Sequence, residues 1–250
     1  MPPTVPSGRT RSLTRGTGLP RANTVTMCAR FSLSDPGRLS ERYPGVRSRT
    51  PYPRRYNIAP TQDVLAARAD GELTTLRWGL VPAWADDPSI GQRLINARVE
   101  TLAEKPAFRG ALESRRCAIF ADGFYEWTGS KGNRRPLRFI LADGAPFAFA
   151  GLYERWKRND TRLETCTIVT CEPNALLASI HDRMPAILAG DALDAWLHGD
   201  VGDALAAIAP FDPAAMRGYS VTPAMNHHAF EDARCIEPFV EQAEAPTLFD

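Results

Sequence analysis

Between Arg116 and Thr170, strand-like runs follow one another with only turns between them, and this succession narrows the possible folds more than any other feature. The runs are 116–121, 124–127, 137–141, 147–156 and 165–170, rich in β-branched and aromatic side chains. Two earlier runs, 64–69 and 72–78, flank Asp70-Gly71, a dipeptide suited to the type I′ turn of a hairpin. Helical patterns are short. Ser34-Asp35-Pro36 opens one that reaches about Tyr43, with others at 97–104, 106–113, 174–180, 191–197 and 203–209. Residues 44–56 read as a Pro/Arg-rich loop, 184–188 as extended and 216–222 as a late strand. There is no strict β-α alternation and no long repeat. The pattern predicts an α+β single domain on a largely antiparallel, barrel-like mixed sheet with flanking helices.

The ends read differently from the body. Residues 1–26 contain Arg9, Arg11, Arg15 and Arg21, no acid and hardly a large apolar side chain. Such a segment buries too little surface to offset its ordering entropy. It also lacks the apolar stretch of a secretory signal. The expected organisation is a disordered extension over 1–26, mis-called or removed, a domain over 27–235 and an acidic tail over 236–250. The formal charge of +1 therefore hides a near-neutral body between a basic leader and an acidic tail. Any nucleic-acid binding has to come from a local groove rather than a general basic field. No apolar run approaches the roughly 18–20 residues a membrane span needs. Five cysteines (28, 117, 166, 171 and 235) with no C-x-x-C pair point away from a disulfide framework or zinc ribbon. They point towards a reducing, cytoplasmic compartment.

Met27-Cys28-Ala29-Arg30-Phe31 looks like a second beginning. If the chain starts at Cys28, one residue carries both a thiol and a free α-amine. A 1,2-aminothiol condenses with an aldehyde and closes a five-membered thiazolidine. An α-amine of pKa about 7.7–8.0 is substantially neutral near pH 7, and a thiol of about 8.5 is lowered by nearby cations. As an internal residue, Cys28 is instead one thiol among five.

Four segments set polar groups among apolar ones. Arg77-Trp78-Gly79-Leu80-Val81-Pro82-Ala83-Trp84 joins a cation and two indoles, which serve either as packing or as base-stacking surfaces. Asn96-Ala97-Arg98 sits at a helix entrance, where Asn96 also suits a cap and Arg98 a surface pair with Glu100 or Glu104. His181-Asp182-Arg183 precedes a strand, and His181 taken alone reads as a structural histidine ahead of a functional one. Glu126, between Tyr125 and Trp127, is the hardest to dismiss. On a strand it faces away from both neighbours, and an enclosed carboxyl there can move protons near neutrality.

Together these blocks resemble the SOS response-associated peptidase (SRAP) family, the abasic-site processing proteins. The likeness runs from Met27 to about Pro223: M-C-x-R-F, Y-N-I-A-P-T at 56–61, R-W-G-L-x-P-x-W, N-A-R-x-E-T, G-F-Y-E-W, A-G-L-Y-E-x-W and H-D-R-M-P. The resemblance implies a single-stranded-DNA groove in which Cys28 crosslinks the ring-opened abasic sugar as a thiazolidine. Asn96 would orient the amine and sugar, Glu126 handle protons for imine formation, and His181 assist ring opening. Arg30, Arg98 and Arg183 would hold phosphates, Asn57 and Thr170 would touch the DNA backbone, and Trp78 would contact bases. No metal or organic cofactor is implied. The partner is single-stranded DNA containing abasic sites, met by a nucleoid-associated monomer. The family typically has Gly where this chain has Ala29, and a retained leader would deny Cys28 its amine. A cysteine (auto)peptidase with His181 as base and a non-catalytic single-strand binder are the other readings. The chain's end, 242–250, loosely resembles peptides that dock on replication clamps through a terminal Leu-Phe.

Overall fold

The computed structural model describes residues 29–46, 51–130 and 132–240. The extension at 1–26, Cys28 and the last part of the tail, 241–250, lie outside the described residues.

The strands are β1 (Phe31–Leu33), β2 (Arg55–Ile58), β3 (Asp63–Arg68), β4 (Leu73–Trp78), β5 (Asn96–Arg98), β6 (Arg116–Ala121) and β7 (Gly123–Thr128). They continue as β8 (Arg135–Leu141), β9 (Phe147–Arg158), β10 (Thr161–Cys171), β11 (Met184–Pro185), β12 (Ile187–Leu188) and β13 (Met216–Ser220). Neighbours β10-β4-β3-β6-β9 close on themselves because β9 and β10 also pair as a hairpin. Only β10–β4 runs parallel in that ring, so the barrel is mixed. Closure removes the open edges that a small sheet would otherwise expose. A second, antiparallel sheet has the order β13-β8-β7-β1-β2. The chain passes from barrel to sheet at Asp122, the single residue between β6 and β7.

Phe149 on β9 joins the two layers, meeting Phe31 at 5.6 Å and Phe124 at 6.2 Å between ring centroids. Helices α1 (Leu39–Arg42), α2 (Arg109–Ser114), α3 (Asp191–His198) and α4 (Val201–Ala206) flank the sheets. Trp196 of α3 is fully buried, and its Nε1 donates to Cys117 O at 3.0 Å, which seats that helix against β6.

The α+β barrel-like class stands, while several local expectations do not. The stretch 97–104 is not a helix: Asn96–Arg98 forms β5, followed by a 3₁₀ turn at Val99–Thr101. β10 offers a free partner there, pairing Ile168 with Asn96 in parallel, and ladder hydrogen bonds outweigh a weak helical pattern. Asn96 is therefore a strand residue rather than a cap. The β3–β4 turn is not type I′, since Gly71 alone turns left-handed (φ +75°) while its N–H donates to Arg68 O at 2.9 Å. This is a three-residue loop with a left-handed glycine closing it. Part of the 44–56 loop is strand, since Arg55 begins β2. After Pro173 there are turns rather than a helix, fastened by Asn174 Oδ1, which accepts from the N–H groups of Leu176 and Leu177.

β1 has only three residues, and a buried carboxylate reinforces its place. Asp122 accepts from Ser32 Oγ (2.6 Å), Ser34 Oγ (2.6 Å) and the Ser34 N–H, and pairs with Arg138 at 2.9 Å. Both partners are nearly enclosed, with side-chain exposures of 7% for Arg138 and 11% for Asp122. Asp122→Ala is expected to lower unfolding free energy by about 3–5 kcal/mol, because it strands a buried guanidinium. Urea denaturation measures this, and a change below ~1 kcal/mol would mean that water already screens the pair.

Candidate active site

Strand alternation sets the first half of the site. Phe31 pairs with Phe124, and Tyr125 N donates to Arg30 O at 3.0 Å. Extended by one residue, this register sets Ala29 opposite Glu126. Tyr125 and Trp127 turn to the outer face, where Tyr125 Oη donates to Tyr56 O (2.7 Å) and Trp127 Nε1 to Asn226 Oδ1 (2.6 Å). Glu126 therefore shares the face of Phe124, the one turned towards the barrel, and is 1% exposed.

The second half lies where β5, β10 and β11 meet. β10 pairs Ile168 with Asn96 and Thr170 with Arg98, and on its other side Thr170 with Pro185. Arg183 closes this corner. Its Nη1 and Nη2 donate to the two oxygens of Glu100 at 2.6 and 2.8 Å, and Nη2 also donates to Thr170 O at 2.7 Å. Hydrogen bonds from Arg183 hold the Glu100 carboxyl below the usual range. His181 is half-buried, with Nδ1 2.8 Å from Asp182 Oδ1 and 3.2 Å from the Arg183 N–H. Asn96, Arg98, Thr170, His181 and Arg183 thus come together on these adjoining elements.

Several predicted contacts take on other work. Trp78 is fully buried, with Nε1 donating to Ile95 O at 2.8 Å, so it is a core residue and presents no face to a base. The exposed indole of that segment is Trp84, at 56%. Asn57 is also fully buried. Its Nδ2 donates to Met225 O, His227 O and Phe230 O, and its Oδ1 accepts from Arg30 Nη1 at 2.7 Å. Its amide is spent on binding the C-terminal segment to β2, which leaves no donor for a DNA backbone. Arg30 reaches Met225 O as well (3.0 Å), and burial lowers its pKa. Thr170 is buried, with Oγ1 donating to Ala97 O at 3.4 Å. Among the three arginines, Arg98 is exposed, Arg30 half-buried and Arg183 buried.

Gly79 explains part of its motif. Its φ is +126°, and a Cβ there would stand 2.7 Å from Gly91 O, so only glycine lets the Pro88–Arg93 turn lie against the end of β4. The Asp122 anchor was missed because nothing in A-D-G marks a carboxylate aimed at a neighbouring strand.

Cys117, Cys166, Cys171 and Cys235 are buried and unpaired in disulfides. Burial pushes each thiol up, Cys171 to about 11, so little thiolate forms at neutral pH. Among the described residues, no group of three or more His, Cys, Asp or Glu is arranged to hold a metal. No described helix is long and apolar enough to cross a membrane.

A closed mixed barrel with β5 paired to its β10 strand, joined through a single residue to a second antiparallel sheet that holds the buried Glu126, is the architecture of this α+β chain. The chain belongs to the SOS response associated peptidase (SRAP) family, whose profile matches residues 27–228. Abasic site processing protein YoaM of Bacillus subtilis is 48% identical over 179 residues, covering 68% of this chain and 79% of that protein. Abasic site processing protein HMCES of Xenopus tropicalis is 30% identical over 204 residues, covering 70% and 60%. A solved protein of Bacteroides thetaiotaomicron superposes with a TM-score of 0.78 at 25% identity, over 85% of this chain and 100% of its own.

Proposed function

We propose that this protein processes abasic sites in single-stranded DNA by forming a thiazolidine through Cys28. The open sugar offers an aldehyde. The α-amine of Cys28 adds to it and water leaves as the imine forms, with Glu126 transferring the protons. The Cys28 thiolate then attacks the imine carbon, and the nitrogen takes up a proton as the ring closes. Asn96 orients the amine, and His181 protonates the sugar oxygen as the hemiacetal opens.

One observation carries this reading: Tyr125 N donates to Arg30 O beside the Phe31–Phe124 pair, so the β1–β7 ladder continued by one residue leads from Ala29 to the buried Glu126. Cys28 is the residue before Ala29 in sequence, and consecutive Cα atoms are about 3.8 Å apart, which is why Glu126 is the group assigned to its proton transfers. The burial of all four described cysteines and the names of the relatives support the same reading.

The test is incubation with single-stranded DNA bearing one abasic site, followed by denaturing electrophoresis. A heat-stable shifted band is expected. A cysteine peptidase would instead cleave peptides without a shifted band, and a plain binder would release the DNA on denaturation.

Arg98, the exposed cation of the corner, is the best phosphate contact. Arg98→Ala should reduce the salt dependence of single-strand binding by about 0.7 in log–log slope, the share of one phosphate. Arg183→Ala should leave that slope alone and lower the melting temperature, since Arg183 already serves Glu100 and Thr170. Fluorescence anisotropy across salt concentrations checks both, and equal slopes for wild type and Arg98→Ala would remove Arg98 from the interface.

A further inference from the structure

We infer that Trp78 is a positioning residue for the reaction proposed above, on which this inference rests. β5 is three residues long, too short for its own ladder to fix Asn96 firmly. The carbonyl of Ile95, just before Asn96, accepts two hydrogen bonds. The Ile168 N–H (3.0 Å) fixes it to β10, and Trp78 Nε1 (2.8 Å) fixes it from β4. The same indole meets the Phe31 ring edge-on, with centroids 5.1 Å apart. Phe31 is three residues beyond Cys28, and Ile95 is one before Asn96. A single rigid side chain therefore touches both the segment that carries the amine and the segment that carries the amide orienting it.

Trp78 is itself held on both sides. Its N–H donates to Gln62 O at 2.9 Å, its carbonyl accepts from Thr61 N at 2.8 Å, and Gly79 N donates to Cys166 O at 2.8 Å. With no exposed surface, it acts only through these neighbours. Loss of the N–H lets β5 shift relative to β1, and misplacement by about 1 Å is enough to slow a reaction up to 10²-fold.

The test compares wild type with Trp78→Phe and with a variant carrying benzothienylalanine at position 78, which keeps the bicyclic outline and replaces the N–H by sulfur. All are measured in the form in which wild type crosslinks, by single-turnover time courses on abasic single-stranded DNA. The maximal rate should fall about 10- to 10²-fold in both variants. The half-saturating DNA concentration should stay within about twofold. Condensation of Cys28 with a small free aldehyde, which needs no alignment by Asn96, should be unchanged. If Trp78→Phe does not fold, the benzothienyl variant decides. Wild-type maximal rates, or a half-saturating concentration that rises with the loss of rate, would overturn the inference. A wild-type protein that makes no crosslink at all would remove the proposed function, and this inference with it.

Discussion

Protein beginning at Cys28 is expected to crosslink abasic single-stranded DNA, while the same protein keeping residues 1–27 uncleaved should give no crosslink. The difference is all or nothing because an amide nitrogen cannot form an imine. Nor can another thiol substitute: Cys117, Cys166, Cys171 and Cys235 are buried, with pKa values raised by that burial. Cys28→Ala in the trimmed form should behave like the extended protein. Intact mass spectrometry must accompany each lane, since self-removal of the extension would generate the amine. Equal crosslinking by a chain whose extension is verified intact would end the N-terminal chemistry.

Glu126→Gln should slow crosslink formation by about 10²–10⁴-fold with little change in DNA affinity, because the amide keeps the shape and loses the proton. The carboxyl is 1% exposed, so bulk buffer cannot readily take over its work. His181→Ala should slow formation in the same range where ring opening limits the rate. It should also slow release into excess competitor abasic DNA, since a group that assists opening of the sugar assists its closure. Time courses in both directions, at matched circular dichroism, separate the two residues. Wild-type rates in both variants would reduce them to packing.

The fold was legible wherever a long run of β-branched and aromatic residues stood between turns. Most strands from Arg116 to Cys171 and the β3–β4 pair came close to their expected limits, because β-branched and aromatic runs there are buried almost continuously, while β10 begins earlier, at Thr161, where its exposed start pairs with β9. β5 was not legible: three residues carry no periodicity, and Asn96 became strand only because β10 was there to receive it. β2 was hidden for the same reason in a stretch of Pro and Arg, its ladder supplied by β1.

The site divides along a similar line. Residue chemistry and strand parity were settled by the sequence itself. Glu126 had to face away from Tyr125 and Trp127, and the ordered blocks from Y-N-I-A-P-T to H-D-R-M-P carried the family. Tertiary structure alone decided which members of a matched set keep their polar groups for a ligand. Trp78 and Trp84 stand six positions apart in one motif, yet the first lies behind β1 and β5 while the second is exposed. Arg98 and Arg183 are both arginines of conspicuous motifs, but only Arg183 meets Glu100 and a strand carbonyl. The physical reason is that side-chain identity sets what a group can do, whereas partners far away in sequence set whether that capacity is already spent.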